Sequence, residues 1–264
     1  MLLTAGCSFV WGDELEGFDT TPPSHQKHTF TDILAKKKGM DYVNLGVCGA
    51  CNDKIFREVT DYLHSPRHET PITHMVVMWS AWQRNELVEY VPEEESLKIG
   101  RQQNVTQYSH LRCDLIQNRL RREILMDWYN LVYTTHTDIM HTLTKQKTLE
   151  LLCEAKGIRL IQGWFHIRNK DNLMAILTDA PLPDGDLPFD SSIKRIPEWS
   201  QWVKDALTDL RPTSKVGWNF GQDLYSLCLD LNDKKEHGHP GEKTQLVFAD
   251  FLFSTFAKME QGEL

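Results

Sequence analysis

An α/β fold, with a mainly parallel, doubly wound sheet and a helical insertion acting as its cap, is predicted by three features of this sequence. Short apolar runs at residues 2–5, 41–46, 73–79 and 157–165 are too brief for helices and have the character of buried strands. Segments of helical periodicity separate the first three, and strand, helix, strand, helix, strand in that order implies parallel crossovers. The chain has 264 residues, 41% hydrophobic and 25% charged, enough for a single domain with a substantial core. Residues 1–264 are therefore read as one domain, with residues 92–156 as a helical insertion within it.

The first strand opens at Leu2 and stops at Gly6. Cys7 and Ser8 follow at once, and Gly12 comes four residues later. A hydroxyl delivered at the carboxyl end of a strand stands where open α/β sheets bind ligands. Position 10 is valine, so this is not the G-x-S-x-G elbow, and an ordinary glycine turn with Ser8 as a helix N-cap has the same residues. Residues 13–30 are polar, hold Pro22, Pro23, His25 and His28, and should border whatever Ser8 faces.

A helix is expected over 31–38, capped by Thr29 or Thr31 and ended by Gly39. The second helix, 52–64, carries Ile55, Val59 and Leu63 and stops before Pro66. Residues 92–108 are charged and polar, an excursion over the sheet. From 109 to 156 the pattern is helical throughout, with Leu111, Leu115, Leu120, Ile124, Ile139, Leu143, Leu149 and Leu152 marking its runs. Gly157 ends that helical stretch before the fourth strand. Residues 168–196, with Pro181, Pro183 and Pro188, are irregular and are the lid candidate. Pro197 leads in a helix over 198–210. Residues 217–221 make an aromatic-rich turn, and a helix over 247–259, with Phe248, Phe251, Leu252 and Phe256, closes the chain.

Several functional classes are disfavoured. A net charge of -8 argues against nucleic acid as a partner, since phosphate binding needs a basic surface. No apolar run is long enough to span a membrane, so no membrane partner is expected, and the first residues lack a signal-peptide pattern. The expected location is cytoplasmic, with a virion as the other destination that needs no signal. The six cysteines are scattered, unlike a disulfide framework. Cys48 and Cys51 have C-x-x-C spacing without a second pair, and His237 and His239 form H-x-H without a third ligand. No metal and no cofactor are expected.

Acyl transfer by serine needs a hydroxyl, a base and donors for the oxyanion. Ser8 supplies the hydroxyl. His239, just before the closing helix, returns to the same sheet edge and is the candidate base.

Four stretches, in order, resemble the blocks of the SGNH, or GDSL-like, hydrolase family. They are Gly6-Cys7-Ser8-Phe9-Val10-Trp11-Gly12, residues 44–52, residues 79–86, and His239-Pro240 with the helix that follows. The first has the G-C-S-F-x-x-G form of the phage-type variant. The resemblance covers residues 1–90 and 155–258, leaving the insertion outside. It implies a three-layer, flavodoxin-like sheet with Ser8 as nucleophile and His239 as base. The family's aspartate, two or three residues before the histidine, is replaced here by Glu236 and His237, and Glu236 is the expected acid. Oxyanion donors are expected from the amides of Ser8 and Gly49, with Gly46 second. Ser80 or Gln83 stands in for the third block's asparagine.

Trp11, Asn52, Trp79 and Arg84 are the expected substrate-binding residues, with Trp82, Trp164 and Trp218 as further aromatic faces or as core. The resemblance thus implies a serine esterase or acetylesterase acting on a small-molecule or glycan ester. The alternative is a non-catalytic binding or virion structural module on the same fold, favoured by the shifted acid and the missing asparagine. Nothing in the sequence sets the oligomeric state.

Overall fold

The structure, a computed structural model, describes residues 1–16, 25–65, 70–80, 86–89, 107–110, 135–164, 197–218 and 220–264. Its strands are β1 (Leu2–Ala5), β2 (Tyr42–Asn44), β3 (His74–Trp79), β4 (Glu86–Glu89), β5 (Gln107–His110) and β6 (Arg159–Trp164). Its α-helices are α1 (Ser8–Trp11), α2 (Phe30–Lys38), α3 (Asn52–His64), α4 (Thr135–Ala155), α5 (Pro197–Asp209), α6 (Leu224–Asp230) and α7 (Glu242–Gln261). The main sheet has the order β2-β1-β3-β6, and every pairing in it is parallel. All carboxyl ends therefore meet at one edge.

Side-chain alternation along the strands separates two faces. Leu2 pairs with His74 and Thr4 with Val76, and these residues share one face. There the Thr4 and Thr31 hydroxyls lie 2.8 Å apart, and His74 Nε2 donates to Glu260 at 2.9 Å. Those contacts place α2 and α7 on that side. On the other face the Cys153 thiol donates to Met75 Sδ at 3.8 Å. Gln162 Nε2 donates to the Gln146 carbonyl at 3.0 Å and to Ser214 Oγ at 3.0 Å, while its Oε1 accepts from Trp79 Nε1 at 3.0 Å. That side belongs to α4. The α/β class and the three layers follow directly.

The caps follow sequence chemistry closely. The Thr29 hydroxyl accepts from Asp32 N to start α2, and Gly39, at φ +62°, ends it in the left-handed region that glycine enters without strain. Cys51 starts α3, its sulfur accepting from Lys54 N, and the helix runs over the expected residues 52–64.

Two readings of the insertion need correction. Residues 107–110, expected to excurse and then turn helical, form β5 instead, antiparallel to β4. From residue 135 the helical stretch expected to cap the site instead packs on one face of the sheet, as a flanking layer. Ile139, Leu143, Leu149 and Cys153 of α4 lie in the main core. The buried stripe also contains Thr142, Gln146 and Glu150, which gave it the polar look of an outlying helix. Residues 90–106 and 111–134, and the lid candidate 168–196, lie outside the described residues. One helix, α6, was not anticipated; Asp223 caps it by accepting from Ser226 N at 2.8 Å. No helix among the described residues is long and apolar enough to cross a membrane.

His74 gives the fold a pH dependence. Burial holds its imidazole below the ordinary 6.5, against the opposing pull of Glu260. The unfolded chain then binds this proton more readily than the folded one, so stability falls as pH drops below about 6.5. Glu260, held below 4.5 by Lys38 and then His74, adds a second fall as pH drops through 4.5 and lower. Denaturant midpoints between pH 8 and 4 should show the first decline in the wild type. In His74→Gln that decline should flatten while the lower one persists.

Candidate active site

The chain leaves β1 through Gly6, where a side chain has no room: an added Cβ would sit 2.9 Å from the Met78 carbonyl and closer still to Val10. Cys7 is extended and hands the chain to α1, whose first residue is Ser8. The nucleophile candidate thus stands at the carboxyl edge of the sheet, at the start of one helical turn. Gly12, at φ +88°, ends that turn, with its N–H on the Ser8 carbonyl. Glu14 then adopts φ +64°, unusual for a residue with a side chain and a cost of order 1 kcal/mol or more. The two left-handed residues fold the chain back and bring the Glu14 carboxylate beside the loop before α7. Leu15, 2% exposed, anchors this turn in the core.

That loop is a small hairpin. Lys234 bridges Pro240, Lys235 N donates to the His239 carbonyl at 2.9 Å, and Gly238 N donates to the Lys235 carbonyl at 3.0 Å. Gly238 takes φ +96°, which glycine reaches without strain. Glu236 and His237 occupy the turn's central positions and are exposed, whereas His239 points inward. Its ring packs edge-on against Phe9, centroids 5.3 Å apart.

The structure brings Ser8 and His239 together, with Ser8 Oγ 2.9 Å from Nε2. The other ring nitrogen, Nδ1, lies 2.6 Å from Glu14 Oε2. Glu14 also accepts from His237 N at 2.8 Å and His239 N at 3.3 Å. Burial, the largest influence on Glu14, pushes its carboxyl up. The His237 amide, the His239 ring and amide, and the imidazole's charge together outweigh it, and the group is held below its ordinary 4.5. An ionised carboxylate only accepts, so Nδ1 carries the proton and Nε2 is left to accept from the serine. Hydroxyl, imidazole and carboxylate form one continuous chain of contacts, the arrangement that can activate a serine oxygen.

Glu236, the expected acid, is displaced from this role, because a turn tip faces water while Glu14 fills the space beside Nδ1. The missed residue left a signal in the sequence, a carboxylate two residues past the glycine that ends the Ser8 turn.

Other expected roles change as well. Asn52 is 3% exposed and its amide is spent inside the protein. Oδ1 accepts from Ser80 N at 2.7 Å, and Nδ2 donates to the Ser80 carbonyl at 3.3 Å and Thr142 Oγ1 at 3.0 Å. It joins the end of β3 to α3 and α4 and is not a substrate contact. Ser80 is fully buried behind this pair, which removes it as an oxyanion donor. Trp79 is likewise fully buried, its indole on Gln162, and belongs to the core. Trp164 is core too, while Trp218 packs against it from a partly exposed position.

Gly46 cannot serve the oxyanion, because its N–H donates to Asn44 Oδ1 at 2.8 Å. Gly49 sits in a turn at φ +73°, and Trp11 is half-buried at the end of α1. Trp82, Gln83 and Arg84 lie outside the described residues. Among the described residues no group of three or more His, Cys, Asp and Glu side chains is arranged to hold a metal.

If Glu14 orients His239, Glu14→Gln should slow labelling of Ser8 by a fluorophosphonate by about 100-fold or more. Glu236→Gln should change the rate by less than about twofold, as an exposed substitution away from the reacting groups does. Labelling rates followed by intact mass check both.

Neither the family models nor the curated protein sequences give a match to this chain. Solved structures do. One is the psychrotrophic esterase EstA from Pseudoalteromonas sp., at TM-score 0.47 and 10% identity, covering 98% of each chain. A second is a carbohydrate esterase family 2 enzyme plus carbohydrate binding domain from Corynascus thermopiles (Myceliophthora fergusii). It has TM-score 0.48 and 11% identity over 97% of this chain and 65% of that one. A third is a member of the lipolytic protein G-D-S-L family from Veillonella parvula DSM 2008, at TM-score 0.44 and 11% identity over 97% and 98%.

Proposed function

We propose that this chain is a serine esterase that works through an acyl-enzyme on a small-molecule or glycan ester. The observation that carries the reading is the continuous path from Ser8 Oγ through His239 to Glu14, at 2.9 and 2.6 Å. A binding module has no use for a partly buried carboxylate kept ionised against the imidazole of a serine-bound histidine. A general base does.

In the proposed reaction Ser8 Oγ attacks the ester carbonyl while its proton passes to His239 Nε2. Glu14 stabilises the imidazolium through Nδ1–H and remains ionised. The tetrahedral oxyanion is held by the amides of Ser8 and Gly49. The Ser8 amide has no acceptor within its own helix, being in the first turn. Collapse breaks the bond to the leaving alcohol, which takes the proton from Nε2. Water then attacks the acyl-serine, giving its proton to Nε2, and the returning proton frees Ser8 and the acid.

Hydrolysis of p-nitrophenyl acetate tests this reading. The wild type should turn over, and Ser8→Ala should lose at least about 1,000-fold in kcat/KM while keeping its melting temperature. Acid quench during turnover should leave one acetyl group on the peptide containing Ser8. Equal rates for wild type and Ser8→Ala would refute the reading.

A further inference from the structure

His239 Nε2 has a second neighbour. Asp13 Oδ2 lies 3.4 Å from it, on the residue before Glu14. The backbone of the residue is held in place. Asp13 N donates to the Ser8 carbonyl at 3.1 Å, tying the residue to the nucleophile's own turn. Desolvation and then the Asp13 charge push the Cys48 thiol up to about 12, so it stays protonated. No step of the reaction above uses Asp13, and its side chain is only 21% exposed.

We propose that Asp13 selects the leaving alcohol, favouring a polyol ester over an alkyl ester and rejecting an acidic one. The inference rests on the esterase reading and specifies the substrate class of that same site. Nε2 is the atom that returns the proton to the leaving oxygen, so whatever lies beside Nε2 lies beside the substituents of that alcohol. An ionised carboxylate can only accept hydrogen bonds. An alcohol with a neighbouring hydroxyl donates to Asp13 as it departs. An alkyl alcohol covers the carboxylate and offers no donor, which costs desolvation without return. An alcohol bearing its own carboxylate meets a like charge at close range in a partly dry site. Asp13 also faces the Nε2–H of the imidazolium during the reaction, so it does not repel the intermediate it adjoins.

The test compares kcat/KM for 1-acetylglycerol, propyl acetate and O-acetyl-lactate, with p-nitrophenyl acetate as the reference. The wild type should rank them in that order. Asp13→Asn removes the charge and keeps an acceptor, so the rate on O-acetyl-lactate relative to propyl acetate should rise by about tenfold or more. The glycerol ester should keep most of its advantage. Asp13→Leu should lose both discriminations, and Asp13→Glu should restore rejection of the acidic ester. Uniformly lower rates with unchanged ratios in all three variants would overturn the proposal and leave Asp13 a structural role. A folded wild type that hydrolyses none of the four would instead remove the esterase reading, and this inference with it.

Discussion

Everything at the candidate site depends on one hydrogen bond, from His239 Nδ1–H to Glu14, which joins residues 225 positions apart in the chain. The fold holds those two segments together by more than this contact. Gln245 of α7 is fully buried, accepts from Phe30 N at 2.9 Å and donates to the Phe9 carbonyl at 3.3 Å, so the last helix is tied to α2 and to the Ser8 turn. Asp233 accepts from Thr244 N at 2.7 Å and caps α7, which sets where the His239 hairpin ends. Glu242 takes an ion pair from Lys235 at 2.7 Å and accepts from Glu16 N at 3.2 Å, closing the outside of the same junction. Ser8 and His239 meet because these supports leave the hairpin little freedom.

The strain at Glu14 belongs to the same economy. A glycine would adopt φ +64° freely but would bring no carboxylate. A residue that keeps its side chain there is paid for by the core position of Leu15 and by three hydrogen bonds to the carboxylate. Backbone strain and the contact to His239 coincide at one residue.

Much of the fold was legible in the sequence because the sheet is buried on both faces. Met75-Val76-Val77-Met78-Trp79 is an apolar run with no alternation, as a central parallel strand requires. The meeting of Ser8 and His239 was legible from a glycine that ends a strand for one, and for the other from the resemblance that marks a His-Pro step before the last helix. Glu14 was not. Its role depends on a left-handed conformation that no propensity assigns to glutamate, and on a partner from the far end of the chain. The helix α4 misled for the opposite reason, because Thr142, Gln146 and Glu150 are polar residues on a buried face. Glu150 Oε1, for example, accepts from Arg211 N at 2.8 Å. Asn52 and Trp79 looked like site residues by type, but their polar atoms are used to join layers of the core.

The most direct measurement of the central claim is the tautomer and Nδ1 proton of His239, read by nitrogen-15 and proton NMR. In the neutral imidazole the account predicts a protonated Nδ1 with a far-downfield, exchange-protected resonance, and an unprotonated Nε2. That resonance should persist in Glu236→Gln and disappear in Glu14→Gln. A protonated Nε2 in the wild type, or a resonance indifferent to Glu14, would contradict it.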